Sequence, residues 1–272
     1  MTTTLTTGPG LASGGITAST AGFGRDLVSI AMRALRQIPR EPEAVIPALI
    51  IPVFFFVVNV GALQDVAAQT GVADFYAFQL PVAIVFAVTG ISRASALVTD
   101  ITSGYFDRLL LTPVSRSSLL LGLMVADFAL VVALSVPVLV LGFVLGVGFV
   151  TGPLGVLAFV LVAGLWGLAF TGFPYAIALR TGNPAAVNSS FLLFFPFAFL
   201  TTTFLPEEAL TGWLATVADY NPVTYLLEAL RSLITEGWEA GPLLGGLAAI
   251  AGLGAVSFLL AFTALRGRTA RD

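Results

Sequence analysis

The chain has 272 residues, 57% hydrophobic and 10% charged, with a mean hydropathy of +0.99 and a net charge of −3. A soluble domain carries roughly a quarter charged residues, so this is an integral membrane protein with a single membrane domain, and its acidic balance argues against a nucleic-acid surface. There is no Lys, His or Cys, which removes the P-loop lysine, Schiff-base chemistry, the Ser-His-Asp triad, a thiol nucleophile and the usual zinc site. Any active transport therefore draws its energy from a partner or from an ion gradient.

Residues 1–22 are Thr, Gly, Ser and Ala without charge or period, and predict a disordered tail rather than a signal peptide. Residues 23–38 predict an amphipathic helix lying in the membrane interface. Leu27, Ile30, Ala31, Ala34, Leu35 and Ile38 follow helical spacing, and Arg25, Arg33, Arg36 and Gln37 take the other side. Pro39 and Pro42 then turn the chain inward.

Six apolar runs follow, at Glu43–Leu63, Tyr76–Val98, Ser117–Phe149, Leu154–Leu179, Pro184–Leu205 and Pro242–Leu265. Each reaches the roughly 20 residues a spanning helix needs, and the third has length to spare. The expected fold is thus all-α: six spans over 39–266, an interfacial helix before them and a short tail, 267–272, after them. Eleven of the twelve arginines fall on one side of such a topology and Arg231 alone on the other. The positive-inside rule then places both termini in the cytoplasm.

Two polar stretches interrupt this pattern. Between the second and third runs, Asp100–Leu121 reads DITSGYFDRLLLTPVSRSSLLL. Asp100, Thr102 or Ser103 can cap a short helix there and Thr112-Pro113 should end it. Tyr105, Phe106, Leu109 and Leu110 fall on one face of that helix, with Asp107 and Arg108 elsewhere. Before the last run, Pro206 with Glu207 and Glu208 predicts a helix start. Leu210, Trp213, Leu214 and Val217 continue at helical spacing. Asn221-Pro222 ends that piece and opens a second helix, striped by Val223, Leu226, Leu227, Leu230, Leu233 and Ile234. Both helices are too short to cross, and suit a hairpin dipping into the outer leaflet.

The run FDRLLLTPVSRSSLLLG resembles a signature of the ABC exporter permeases of the second type, and LPEEALTGWLATVADYNPVTYLLEALRSL resembles that family's block before the last span. Phe106-Asp107 stand where the family usually has Glu, and Gly212 where it commonly has Pro. The resemblance covers residues 24–266. It implies that Tyr105, Phe106, Asp107, Arg108, Leu109 and Leu110 form a cytoplasmic coupling helix that touches an ATPase. It implies an external hairpin or gate carrying Trp213, Asn221, Pro222, Glu228 and Arg231. It further implies the transmembrane subunit of an ATP-driven exporter in a bacterial plasma membrane, paired with a second permease, and ATP and magnesium bound to the partner ATPase rather than to this chain. Drug or lipid-like substrates follow by the same analogy.

Other residues leave alternatives open. Asp127 either lines a pathway or sits near the cytoplasmic end of an overlong helix, and the length of the third run favours the latter. Glu228 and Arg231, one turn apart, suit a local ion pair. Asn188 opens the fifth run; Phe191 and Phe195 within it suit an amphipathic ligand or plain packing. A secondary transporter driven by an ion gradient is the competing class. It would need buried carboxylates near the midplane, and Asp127 is the one candidate.

Overall fold

The computed structural model describes residues 22–37, 42–69, 72–89, 92–110 and 116–269. The expected N-terminal tail up to residue 21, the turn at Pro39, the helix stop at Thr112-Pro113 and residues 270–272 lie outside the described residues. Every regular element described is helical. Helix α1 (Phe23–Gln37) precedes α2 (Pro42–Gln69), α3 (Phe75–Thr89), α4 (Ala94–Thr102) and α5 (Tyr105–Leu110). Then come α6 (Arg116–Val144), α7 (Gly152–Thr181), α8 (Pro184–Ser189) and α9 (Phe194–Phe199), followed by α10 (Trp213–Asp219), α11 (Pro222–Thr235) and α12 (Ala240–Thr269).

Five helical segments are long and apolar enough to cross a membrane: α2, the α3–α4 rod, α6, α7 and α12. Two of the six expected runs depart from a simple span. The second breaks at Ser92-Arg93, so that α4 is a separate nine-residue helix. The fifth, expected as a span over Pro184–Leu205, is a shorter broken rod. It consists of α8, a 3-10 turn over Ser190–Leu193, and α9. Ser189 bonds back to the Ala185 carbonyl, and Pro196 has no N–H to continue the ladder.

Helix α7 is the central post, packed against α12, α6, α3, α4, α8 and α11. Lipid tails are as apolar as leucine, so burial alone does not hold such helices together; close packing and interhelical hydrogen bonds do. At Gly172 the backbone of α12 comes so close that a Cβ would lie 2.5 Å from the carbonyl carbon of Ser257. The Ser257 hydroxyl donates to the Ala169 carbonyl beside it. Trp166, 1% exposed, donates to the Thr89 hydroxyl at 3.0 Å and ties α7 to α3. Helix α2 differs, with Ile50, Phe54, Val57 and Val58 on an exposed outer face.

Two apolar cores result. The larger joins α2, α3, α6, α7, α9, α11 and the first half of α12. The smaller joins α4, α5, the start of α6, the end of α7, α8 and the end of α12. Helix α1 lies along α6 beside this smaller core, burying Ala31 and Ala34. Ile30 fits so tightly over Gly122 that a Cβ there would be 2.8 Å away. The described part of the expected interfacial stripe, Leu27 to Leu35, therefore faces protein, while Phe23, Val28 and Met32 stay exposed and Ile38 lies outside the described residues.

Candidate functional site

The end of the bundle that carries the smaller core presents the short helix α5. Its seat is internal. Phe106 is 3% exposed and belongs to the smaller core, with α5 packed on α4. Leu109 leans on the same core. The helix thus turns this phenylalanine into its own protein, next to α4, rather than outward. Tyr105 and Arg108 face outward. The side chains of Asp107 and Leu110 lie outside the described residues.

Arg33 of α1 pins this corner. It forms an ion pair with Asp100 of α4 at 3.1 and 3.3 Å, and its guanidinium lies 4.3 Å from the centre of the Tyr105 ring. Asn188 is near the same end and exposed; its carbonyl oxygen accepts from Ser95 at 2.9 Å, joining α8 to α4.

Asp127 sits fully buried in α6, at the break between α3 and α4. Its carboxylate accepts from the Arg93 backbone N–H at 2.8 Å, the Tyr175 hydroxyl at 2.8 Å and the Ser92 hydroxyl at 3.3 Å. Arg93 is the N-cap position of α4; its own side chain makes no cap bond, and the Ser92 hydroxyl accepts from the Ala94 N–H at 3.2 Å. Asp127 adds a partner for the Arg93 N–H from the neighbouring helix and so ties the start of α4 to α6.

At the opposite end, Asn221 caps α11 by accepting from the Val223 N–H at 2.9 Å. Its amide nitrogen donates to the carbonyls of Phe197 and Leu200, each at 2.7 Å, and so gathers the chain leaving α9. Pro222 is the first residue of α11. The expected stripe of α11 is buried throughout, from Val223 to Ile234. The first half of the hairpin is slighter than expected. Glu207–Ala209 make one 3-10 turn, and α10 begins only at Trp213, after Gly212 at φ 65°. Trp213 is 69% exposed.

Arg231 does not form an ion pair with Glu228. Its Nε donates to the Phe78 carbonyl at 3.2 Å, its Nη1 to the Thr202 hydroxyl at 2.9 Å and its Nη2 to the Thr202 carbonyl at 2.7 Å. The guanidinium carbon lies 3.6 Å from the centre of the Phe78 ring. One arginine thus clamps α11 to α3 and to the corner after α9. Burial pulls its pKa down to about 9, and burial, then the neighbouring Glu207, raises that of Glu228. In a double-mutant cycle on thermal stability, Arg231→Gln with Thr202→Val should be non-additive, whereas Arg231→Gln with Glu228→Gln should be close to additive. Strong coupling in the second cycle alone would restore the ion pair.

Phe191 and Phe195 are half-buried members of a phenylalanine ladder. Phe191 meets Phe195 edge-on at 5.1 Å, Phe195 stacks on Phe199 at 5.6 Å, and Phe86 meets Phe194 edge-on at 5.3 Å.

A model of the ABC-2 type transporter family matches residues 25–235. The chain belongs to the ABC-2 type transporter family. The match runs from α1 to the last residue of α11, so both polar stretches lie inside the family's region. Among curated relatives, the "Daunorubicin resistance ABC transporter permease protein DrrB1" of Streptomyces coeruleorubidus is 28% identical over 228 residues, 80% of each chain. The "Probable doxorubicin resistance ABC transporter permease protein DrrC" of Mycobacterium tuberculosis is 27% identical over 223 residues, 81% of each chain. Within this ABC-2 framework, sequence reasoning missed the hydrogen-bond partners of Arg33, Arg231 and Asp127. Asp100, Thr202 and Tyr175 carry no periodic signal, because each acts across 29 or more residues of chain.

Proposed function

We propose that this chain is the transmembrane permease subunit of an ATP-driven exporter that moves a hydrophobic or amphipathic molecule, of drug or lipid type, outward. The observation that carries this reading is the family match across both polar stretches, in a chain with no lysine for a nucleotide-binding loop. ATP and magnesium belong to a separate cytoplasmic ATPase, and a second permease, the same or related, completes the path. The arginine-rich end faces the cytoplasm, with both termini there. The segment Pro184–Leu205 makes a short sixth crossing beside the five long ones.

The geometry supports a mechanical route. A push on Tyr105 and Arg108 reaches α4 directly. The Asp127 carboxylate holds α4 against α6 and α7, and the Arg231 clamp holds the far end of α3 to the external hairpin. The competing ion-gradient reading has less to stand on, since three donors already occupy Asp127.

The test is co-purification of the tagged chain with its ATPase, followed by substrate uptake into inverted vesicles. Uptake that follows ATP and survives a protonophore supports the exporter; uptake that collapses with the proton gradient and ignores ATP overturns it. Topology has its own test, because the chain lacks cysteine. Ser117→Cys should react with an impermeant thiol reagent only from the cytoplasm and Thr211→Cys only from outside. The reverse pattern would invert the orientation.

A further inference from the structure

At the arginine-rich end of the bundle, α7 and α12 finish side by side. They run parallel, with Gly254 against Ala169 and Gly172 against Ser257. The smaller core takes Tyr175, Ala178 and Leu179 from the end of α7, and Ala261, Ala264 and Leu265 from the end of α12. The same offset, carried to the last turn of α7, sets Arg180 level with Leu265. Arg268, one turn past Ala264, extends the face that α12 turns to α7. Above them Val256, Leu259 and Leu260 form an exposed apolar stripe on α12, which Arg266 continues downward.

These arginines lack acidic neighbours. No Asp or Glu falls within residues 176–187 or 255–271. Arg180 is exposed and Arg268 half-buried, and neither forms an ion pair among the described residues. The Nε of Arg268 is enclosed and has no hydrogen-bond partner among them. Arg33, at the same end, shows the contrast: it is paired with Asp100 and lies over the Tyr105 ring. Orientation in the membrane requires only positive charge, which a fully solvated arginine supplies as well. An enclosed guanidinium N–H without an acceptor is costly, so the seam calls for an anion.

We propose that the seam between the ends of α7 and α12 is a binding site for one anionic phospholipid of the adjoining leaflet. The phosphate lies between Arg180 and Arg268, whose planar forks match phosphate oxygens and whose like charges it offsets. An acyl chain follows Val256, Leu259 and Leu260. Two features name this occupant. The charge is complementary, and the basic end is continuous with an apolar stripe that an acidic protein surface would leave uncovered. Basic seams between membrane helices take anionic headgroups in this way. The orientation proposed above makes the leaflet the cytoplasmic one, and the site does not depend on what the exporter carries.

The test is a lipid titration of the delipidated permease–ATPase complex, read by native mass spectrometry. Dioleoyl phosphatidylglycerol and dioleoyl phosphatidylcholine share their chains and differ in net charge. The first phosphatidylglycerol should bind at least about tenfold more tightly than phosphatidylcholine. Arg180→Gln, at an exposed position, should weaken it about fivefold, and Arg180→Gln with Arg268→Gln roughly thirtyfold. Arg25→Gln with Arg36→Gln removes the same charge from the exposed face of α1 and should leave it unchanged. Equal affinities for the two lipids, or an equal loss in the α1 variant, would overturn the site. Inorganic phosphate that displaces the lipid at equal concentration would overturn the role of the acyl stripe. If Arg180→Gln with Arg268→Gln releases the ATPase or a second permease while phosphatidylglycerol binds as before, the seam belongs to a protein partner and the proposal fails. The Arg180→Gln arm and the wild-type comparison decide the matter even where the double variant does not assemble.

Discussion

Asp127→Leu should leave little folded protein. The substitution removes one carboxylate and orphans two buried donors, the Arg93 N–H and the Tyr175 hydroxyl, and the part-buried Ser92 hydroxyl. An unsatisfied buried donor costs about 1–3 kcal/mol, so the sum is a large part of the roughly 5–15 kcal/mol that holds a domain together. Tyr175→Phe removes one partner and leaves the other two bonds, and should cost about 1 kcal/mol. Asp127→Asn keeps one acceptor for the Arg93 N–H and should fall between them. Melting of detergent-solubilised protein, followed by size-exclusion chromatography, reads the order directly. An Asp127→Leu protein that melts like the wild type and loses only transport would return this residue to the substrate path.

The second large effect concerns the seat of α5. Phe106→Ser empties a slot in the smaller core and puts a hydroxyl into it; truncating a buried phenylalanine costs about 3–5 kcal/mol. Helix α5 has six residues and little else to hold it, so the loss should fall on that helix rather than on the spans. The expected result is a permease that inserts in the membrane, binds its ATPase loosely and does not transport. Phe106→Leu, which refills most of the slot, should retain transport. Arg108→Ala touches only the exposed face, and should weaken retention of the ATPase without lowering the melting temperature. Two outcomes would count against this account. If Phe106→Ser transports normally, α5 is not the coupling element. If Phe106→Leu is as damaging as Phe106→Ser at full thermal stability, the ring itself meets the partner.

Sequence alone determined the class of protein and most of its segments. Long apolar runs and scarce charge are local properties, and a helix of some 20 apolar residues satisfies its own backbone within the bilayer without reference to its neighbours. The same holds for the Asn221 cap and the α11 stripe, because cap and period are written within one turn of chain. The family, too, was legible in two contiguous stretches.

Only the tertiary structure decided what the polar residues do. Composition marks Asp127 as a costly charge, but its three partners come from 34 to 48 residues away. Arg231 has an acidic neighbour one turn back, and spacing suggests a pair; yet Thr202 and the Phe78 carbonyl offer it three closer bonds. Phe106 shares a face with Tyr105 by spacing, yet it is buried in the smaller core while Tyr105 is exposed, a difference that spacing cannot report. The break in the fifth run was not legible either, since hydropathy counts apolar residues and is blind to the bonds by which Asn221 gathers the end of α9. Local pattern determines which segments enter the membrane. In a medium as apolar as the side chains, the rare polar groups must find each other across the bundle, and those pairings exist only once the helices have packed.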